Sequence, residues 1–221
     1  YFTLIPNGVD VERFCSISNR EKRMLRKQLE LPLGLKIILF IGHFSKDKCP
    51  DILINIWKDY VANVFPNSGV VFVGTTSPTH FEVDVDIVKE VKRLAKPYQG
   101  KRIFFVERTH DIEKYYQACD IFVMPSLREG LPNAMLEAMS CELPVILSKL
   151  EGVTEWVVED GVNGLLFSPN SEVELSEKLI HLLSNPDLSN ALGKKARKTI
   201  LEKFSIKETA RKYEVLYSSI S

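Results

Sequence analysis

The feature that most constrains this chain is a repeated alternation. A short run of apolar, β-branched residues gives way each time to a stretch with apolar residues at helical spacing. Residues 35–41 (LKIILFI) lead through Gly42 into 50–65, where Ile52, Leu53, Ile56, Trp57 and Tyr60 fall on one helical face. Residues 70–73 precede 85–97, with Val85, Val88, Val91 and Leu94 in helical register. Residues 103–106 precede a short helix at 111–119, and 121–124 precede a helix at 133–141. Two more strands are read at 145–147 and 164–167. Runs that are apolar on both faces belong to a sheet covered on both sides, and parallel neighbours require crossover connections. The pattern predicts an α/β fold with a Rossmann-like doubly wound parallel sheet. From residue 172 the chain reads as helical at 172–183, 188–204 and 206–217, broken at Asn185-Pro186.

Composition narrows the function. The 221 residues are 45% hydrophobic and 26% charged, which is globular composition rather than a disordered tail. Lys plus Arg and Asp plus Glu both number 29, so no basic excess marks a nucleic-acid partner. The longest apolar runs are strand-sized and too short to cross a bilayer. Cys15, Cys49, Cys119 and Cys141 form no C-x-x-C pair and have no His at ligand spacing, which predicts reduced thiols and a cytoplasmic location. The sequence starts at Tyr1 with neither Met nor a basic and apolar leader, so it reads as a piece of a longer protein.

In a doubly wound sheet, ligands bind outside the carboxyl ends of the strands where strand order reverses. The loops to search are 42–50, 74–82, 107–110 and 125–133. The richest stretch runs from Pro125 to Met139 (PSLREGLPNAMLEAM): a buried strand, a loop, then a helix opened by Pro132. The amides of Asn133, Ala134 and Met135 are then unpaired at a helix start, which favours an anion. Gly130, beside Leu131, would let a ligand approach the backbone. Glu129 and Glu137 flank the turn; Glu137 suits vicinal ribose hydroxyls and Glu129 a second hydroxylated group. Both are equally readable as acids favoured by the helix dipole. In the loop after the first strand, Gly42, His43 and Lys48 offer a close approach, a donor and a compact cation for phosphate, or else solvated surface polarity.

These residues resemble the C-terminal, nucleotide-sugar-binding half of a GT-B glycosyltransferase of the retaining family 4. The resemblance is carried, in order, by IPNGVD at 5–10 with Arg13-Phe14, and by Gly42 with Lys48. Further along come Glu129-x7-Glu137, Gly152-Val153-Thr154-Glu155, DGVNGLL at 160–166, and Phe204-Ser205 with Tyr213 and Tyr217. It implies that Glu137 holds the ribose and Glu129 faces the donor sugar. The amides of 133–135 and Lys48 bind the diphosphate, and the base lies against Val106 to Arg108. Glu129 and Lys48 are then the catalytic pair. The implied donor is a UDP-sugar, with a GDP-sugar as the alternative, and no cofactor or metal is called for. Residues 1–14 would be an interdomain segment, and 205–221 a closing helix that packs toward an N-terminal acceptor domain, leaving Tyr213, Leu216 and Tyr217 exposed in its absence. Membrane contact would come only through that other part, and isolated residues 1–221 should be nearly inactive. Two departures stand out: His43 where relatives usually place Arg, and Cys49 where they often place Gly.

Other strings are decoys. Asp84-Val85-Asp86 matches a metal-binding D-x-D but sits at a helix start, and Gly69 to Thr76 lacks the Lys of a P-loop. No G-x-G-x-x-G and no G-x-S-x-G occurs. The competing readings are a sugar-nucleotide epimerase of similar architecture and a non-catalytic nucleotide-binding module.

Overall fold

The structure is a computed structural model that describes residues 3–219. Six parallel strands form one sheet: β1 (Lys36–Ile41), β2 (Ser68–Val73), β3 (Ile103–Val106), β4 (Ile121–Met124), β5 (Val145–Ser148) and β6 (Leu165–Phe167). Their order is β3-β2-β1-β4-β5-β6, so the sheet is doubly wound and reverses between β1 and β4. Strand period divides the core in two. Ile37 and Leu39 join Val71, Phe122 and Val145 on one face, while Ile38 and Phe40 join Val70, Phe72 and Ile121 on the other.

The first face is covered by α5 (Ile112–Ala118), α6 (Asn133–Ser140) and α9 (Pro186–Lys203). The second is covered by α2 (Pro50–Ile56), α4 (Val85–Ala95) and α8 (Glu172–Ser184). Asn185-Pro186 is the expected break, with Pro186 in the first turn of α9. The short α7 is Thr154–Val157, and α10 is Ile206–Ser218.

Three sequence expectations are corrected. The helix expected over 50–65 passes from α2 through a π-helical stretch, Trp57–Val61, into the single turn α3 (Ala62–Val64). The extra residue per turn shifts the face, so Val61 is buried and Tyr60, expected inside, is 47% exposed. Val85 lies at the first position of α4 and is likewise exposed, while Val88, Val91 and Leu94 are buried. Leu216 is half-buried, although Tyr213 and Tyr217 are exposed as expected. Residues 1 and 2 of the expected interdomain segment, and 220 and 221 of the closing helix, lie outside the described residues.

Two helices were not anticipated, the four-residue α7 and the longer α1 (Asn19–Gln28), which is opened by a capping box between Ser18 and Glu21. Its Arg26 is buried and, with Lys22, pairs with Asp120 just before β4 at 2.6 and 2.8 Å. The same carboxylate accepts the amide of Ile37 at 2.7 Å, which ties α1 to the amino edge of the sheet. Burial would raise the Asp120 carboxyl, but Lys22 and Arg26 outweigh it and hold it below its usual value. The chain ends are also joined. Val9 donates to the Phe204 carbonyl at 2.8 Å and accepts from Ile206 at 2.9 Å. That bridge carries residues 5–10 across to the carboxyl end of the sheet.

Candidate functional site

The reversal between β1 and β4 places two of the expected loops side by side. Leu127, after β4, donates to the Asp47 carbonyl after β1 at 2.8 Å. Across this junction Lys48 Nζ meets Glu129 Oε1 at 2.6 Å, with side chains only 22% and 9% exposed. The two expected catalytic side chains are therefore together, and Lys48 is engaged by a carboxylate rather than standing alone. A diphosphate drawn to this cation would have to share or displace Glu129.

Helix α6 begins directly after this pair. Pro132 is its N-cap with φ −75° and ψ 116°, and no side chain caps the turn. The first-turn amides of Asn133, Ala134 and Met135 therefore carry the partial positive charge of an uncapped helix start. Met135 buries its side chain in the core, whereas Asn133 is exposed. Asn7 reaches this point from the other end of the chain, its Nδ2 donating to Asn133 Oδ1 at 3.2 Å. Gly130 is exposed; an added Cβ would meet nothing within 4 Å, so the space above the backbone there is open. Leu131 packs against the core beneath the turn.

Glu137 lies one turn into α6, half-buried. The Tyr116 hydroxyl of α5 donates to its Oε2 at 2.8 Å. Burial pushes the Glu137 carboxyl up, more than the Tyr116 hydrogen bond and the positive charge of Arg13 pull it down. Tyr116 is fully buried, packed edge-on against Phe14, and burial pushes its hydroxyl well above the ordinary phenol range, so it remains a donor. Arg13 itself pairs with Glu113 at 2.8 Å.

On the β2 side a cavity of about 590 Å³ opens between the loops after β1, β2 and β3. Its walls include Gly42, His43, Gly74, His80, Glu82 and Arg108. Val106, expected against the base, is not part of the lining; it reaches the cavity only through Gly74, whose amide its carbonyl accepts at 2.9 Å. Gly74 has φ +151°, and a Cβ there would lie 2.0 Å from the Gly42 carbonyl oxygen, so only glycine lets the two loops close. His43 is 20% exposed at its side chain. Burial pushes its imidazole down, against the upward pull of Glu82, so it does not supply the fixed charge of an arginine. Cys49 adopts the left-handed conformation with φ 51° and ψ 48°, which accounts for a glycine preference at that position.

The structure thus gathers Lys48, Glu129, Gly130, Asn133, Ala134 and Met135 at one junction, with His43 close enough to feel both Lys48 and Glu129. Gly42, His43 and Arg108 share the adjoining cavity. Asn7, Gly74, Tyr116 and Glu82 were not foreseen as site residues. The D-x-D acids are ordinary helix-start residues: Asp84 caps α4 by accepting the amides of Asp86 and Ile87. Residues 69–73 of the P-loop-like string lie in strand β2.

A six-stranded parallel sheet in this order, with helices on both faces, matches the structures of GT-B glycosyltransferases. The chain belongs to the family Glycosyl transferases group 1, which matches residues 21–199. It is 30% identical, over 97% of its length and 53% of the relative's, to the UDP-Gal:alpha-D-GlcNAc-diphosphoundecaprenol alpha-1,3-galactosyltransferase of Escherichia coli. Among solved structures, Anabaena Alr3699/HepE in complex with UDP superposes with a TM-score of 0.86 at 25% identity, covering 98% of this chain and 57% of that one. The C-terminal domain of the glycosyl transferase group 1 protein LpcC from Francisella tularensis superposes with a TM-score of 0.77 at 26% identity, covering 90% of this chain and 100% of that one. The chain spans about half the length of the curated relatives it matches. Among the described residues no helix is long and apolar enough to cross a membrane.

Proposed function

We propose that this chain is the C-terminal donor-binding domain of a retaining, metal-independent hexosyltransferase of family 4, and that it binds a nucleotide-diphosphate sugar for transfer to a glycan or lipid acceptor. The observation that carries this reading is the uncapped start of α6 beside the Lys48–Glu129 pair, at the point where strand order reverses. The amides of 133–135 and Lys48 receive the diphosphate, and Glu137, oriented by Tyr116, receives the ribose hydroxyls. Glu129 faces the sugar, and the base enters the cavity toward Val106 and Arg108. Departure of the diphosphate leaves an oxocarbenium-like sugar, and negative charge grows on the phosphate oxygens. Preorganised amides and a cation aimed at that charge stabilise the transition state, each by a few kcal/mol.

The relatives' double length and the LpcC domain support an acceptor domain elsewhere in the same protein. Isolated residues 1–221 then bind donor and barely turn it over, and the whole protein works in the cytoplasm with any membrane contact outside this domain. UDP in the Anabaena structure favours a uridine donor over a guanosine one. Calorimetric titration with UDP, UDP-glucose, UDP-N-acetylglucosamine and GDP-mannose tests the reading. A nucleotide sugar should bind better than its nucleoside diphosphate, and Glu137→Ala should weaken every nucleotide. Binding indifferent to the sugar would favour a pure nucleotide module. Measured transfer by the isolated chain at an ordinary enzyme rate would refute the division of labour.

A further inference from the structure

We propose that Glu82 and His80, on the loop between β2 and α4, are positioning residues that turn His43 into a phosphate ligand which takes up a proton when the donor binds. The proposal rests on the donor-site reading above and adds two residues and a proton to it. His43 Nδ1 lies 3.6 Å from Glu82 Oε2. A bare lone pair on Nδ1 would face a carboxylate, so Nδ1 is the nitrogen that keeps its proton. In the neutral ring Nε2 then carries the lone pair, and a lone pair repels a phosphate oxygen. Only the imidazolium offers a donor at both nitrogens, one toward Glu82 and one for the ligand. An arginine brings its charge permanently; His43 must acquire it.

His80 fixes this arrangement twice over. Its ring stacks on that of His43 with centroids 6.1 Å apart and planes 26° apart. Its Nδ1 also accepts the backbone amide of Glu82 at 3.4 Å. The loop closes on itself through His80 to Ser77 and Val83 to His80, at 3.1 and 3.0 Å, and is pinned beside His43 by Asp84 donating to the Phe44 carbonyl at 2.8 Å. The ionisable groups facing His43 are Glu82, Lys48, His80 and Glu129, two acids against two bases, while burial favours the neutral ring. Burial outweighs the rest and holds the ring below its ordinary value, and the two negative charges of an arriving diphosphate oppose that bias.

Calorimetry of UDP-glucose binding to the 221-residue chain at pH 7.5, repeated in buffers of different ionisation enthalpy, counts the protons. The diphosphate of this probe is fully esterified and does not itself titrate near neutrality. Wild type should take up roughly half a proton or more per donor bound, as expected of an imidazole titrated upward through neutral pH. Glu82→Gln should lose most of that uptake and several-fold in affinity, and His43→Arg should bind with none. Glu82 is about half exposed, and circular dichroism checks that both variants fold. Binding whose heat is the same in every buffer, or uptake unchanged in Glu82→Gln, would overturn the proposal while leaving the donor site standing. Failure of wild type to bind any nucleotide sugar would remove the donor site, and this proposal with it.

Discussion

Tyr116→Phe isolates one atom whose role can be worked out from the structure. The hydroxyl is fully buried and makes a single 2.8 Å hydrogen bond to Glu137 Oε2. Hydrogen bonds to charged groups contribute about 1.5–3 kcal/mol, and the half-exposed carboxylate can recover part of that from water, so a loss of about 1–2 kcal/mol is expected. For a chain of this length that lowers Tm by roughly 2–8 °C. The pH dependence has a definite sign. Burial already raises the folded-state value of Glu137 above its unfolded one, so the native state binds the extra proton. Its contribution is full below the unfolded value and is lost as pH rises through the folded one. Removing the hydroxyl raises the folded value further, so the variant's deficit should be smaller in acid than at neutrality. Nucleotide binding should run the opposite way, weakening as pH falls through the Glu137 transition because a protonated carboxyl accepts ribose hydroxyls poorly. Thermal unfolding and UDP titration between pH 5 and 8 measure both trends. Unchanged Tm together with unchanged nucleotide affinity would refute the idea that Tyr116 orients Glu137.

Other substitutions probe the remaining supports. Gly74→Ala forces a methyl against the Gly42 carbonyl and should cost about 2 kcal/mol or more, with weaker donor binding, as denaturant unfolding and calorimetry would show. Lys48→Met leaves the nearly buried Glu129 without its partner; breaking such pairs costs about 3–5 kcal/mol when fully buried, and the 22% exposure of Lys48 reduces that to about 2–3 here. Chemical denaturation checks it, and the double variant Lys48→Met/Glu129→Gln should recover stability but not donor affinity. Asp120→Asn removes a carboxylate held below its usual value by Lys22 and Arg26. Since such a group adds stability above its unfolded value and loses it as pH falls through the folded one, the variant should be less stable at neutrality. Its acid-unfolding curve should be flatter than wild type below about pH 4.

The sheet was legible because unbroken apolar runs such as LKIILFI must be buried on both faces, and the loops at the reversal follow from that topology alone. Glu129 and Lys48 could be named, but not that they touch, since 81 residues separate them. Helix α1 escaped because its buried face includes Arg26 rather than a stripe of aliphatics; the Ser18…Glu21 box was its visible signal. Tyr60 misled because a π-helical turn breaks the 3.6-residue period that the spacing assumes. Tyr116, Gly74 and Glu82 gain meaning only from neighbours brought in by crossovers, where no local pattern reaches.

Amide NMR of the labelled chain titrated with UDP-glucose asks the central question at the atoms concerned. Asn133, Ala134 and Met135, with Gly42 and Lys48, should show the largest shifts, and Glu137→Ala should weaken the titration without moving its location. Saturable binding that leaves the α6 amides undisturbed would contradict a diphosphate seated on that helix start.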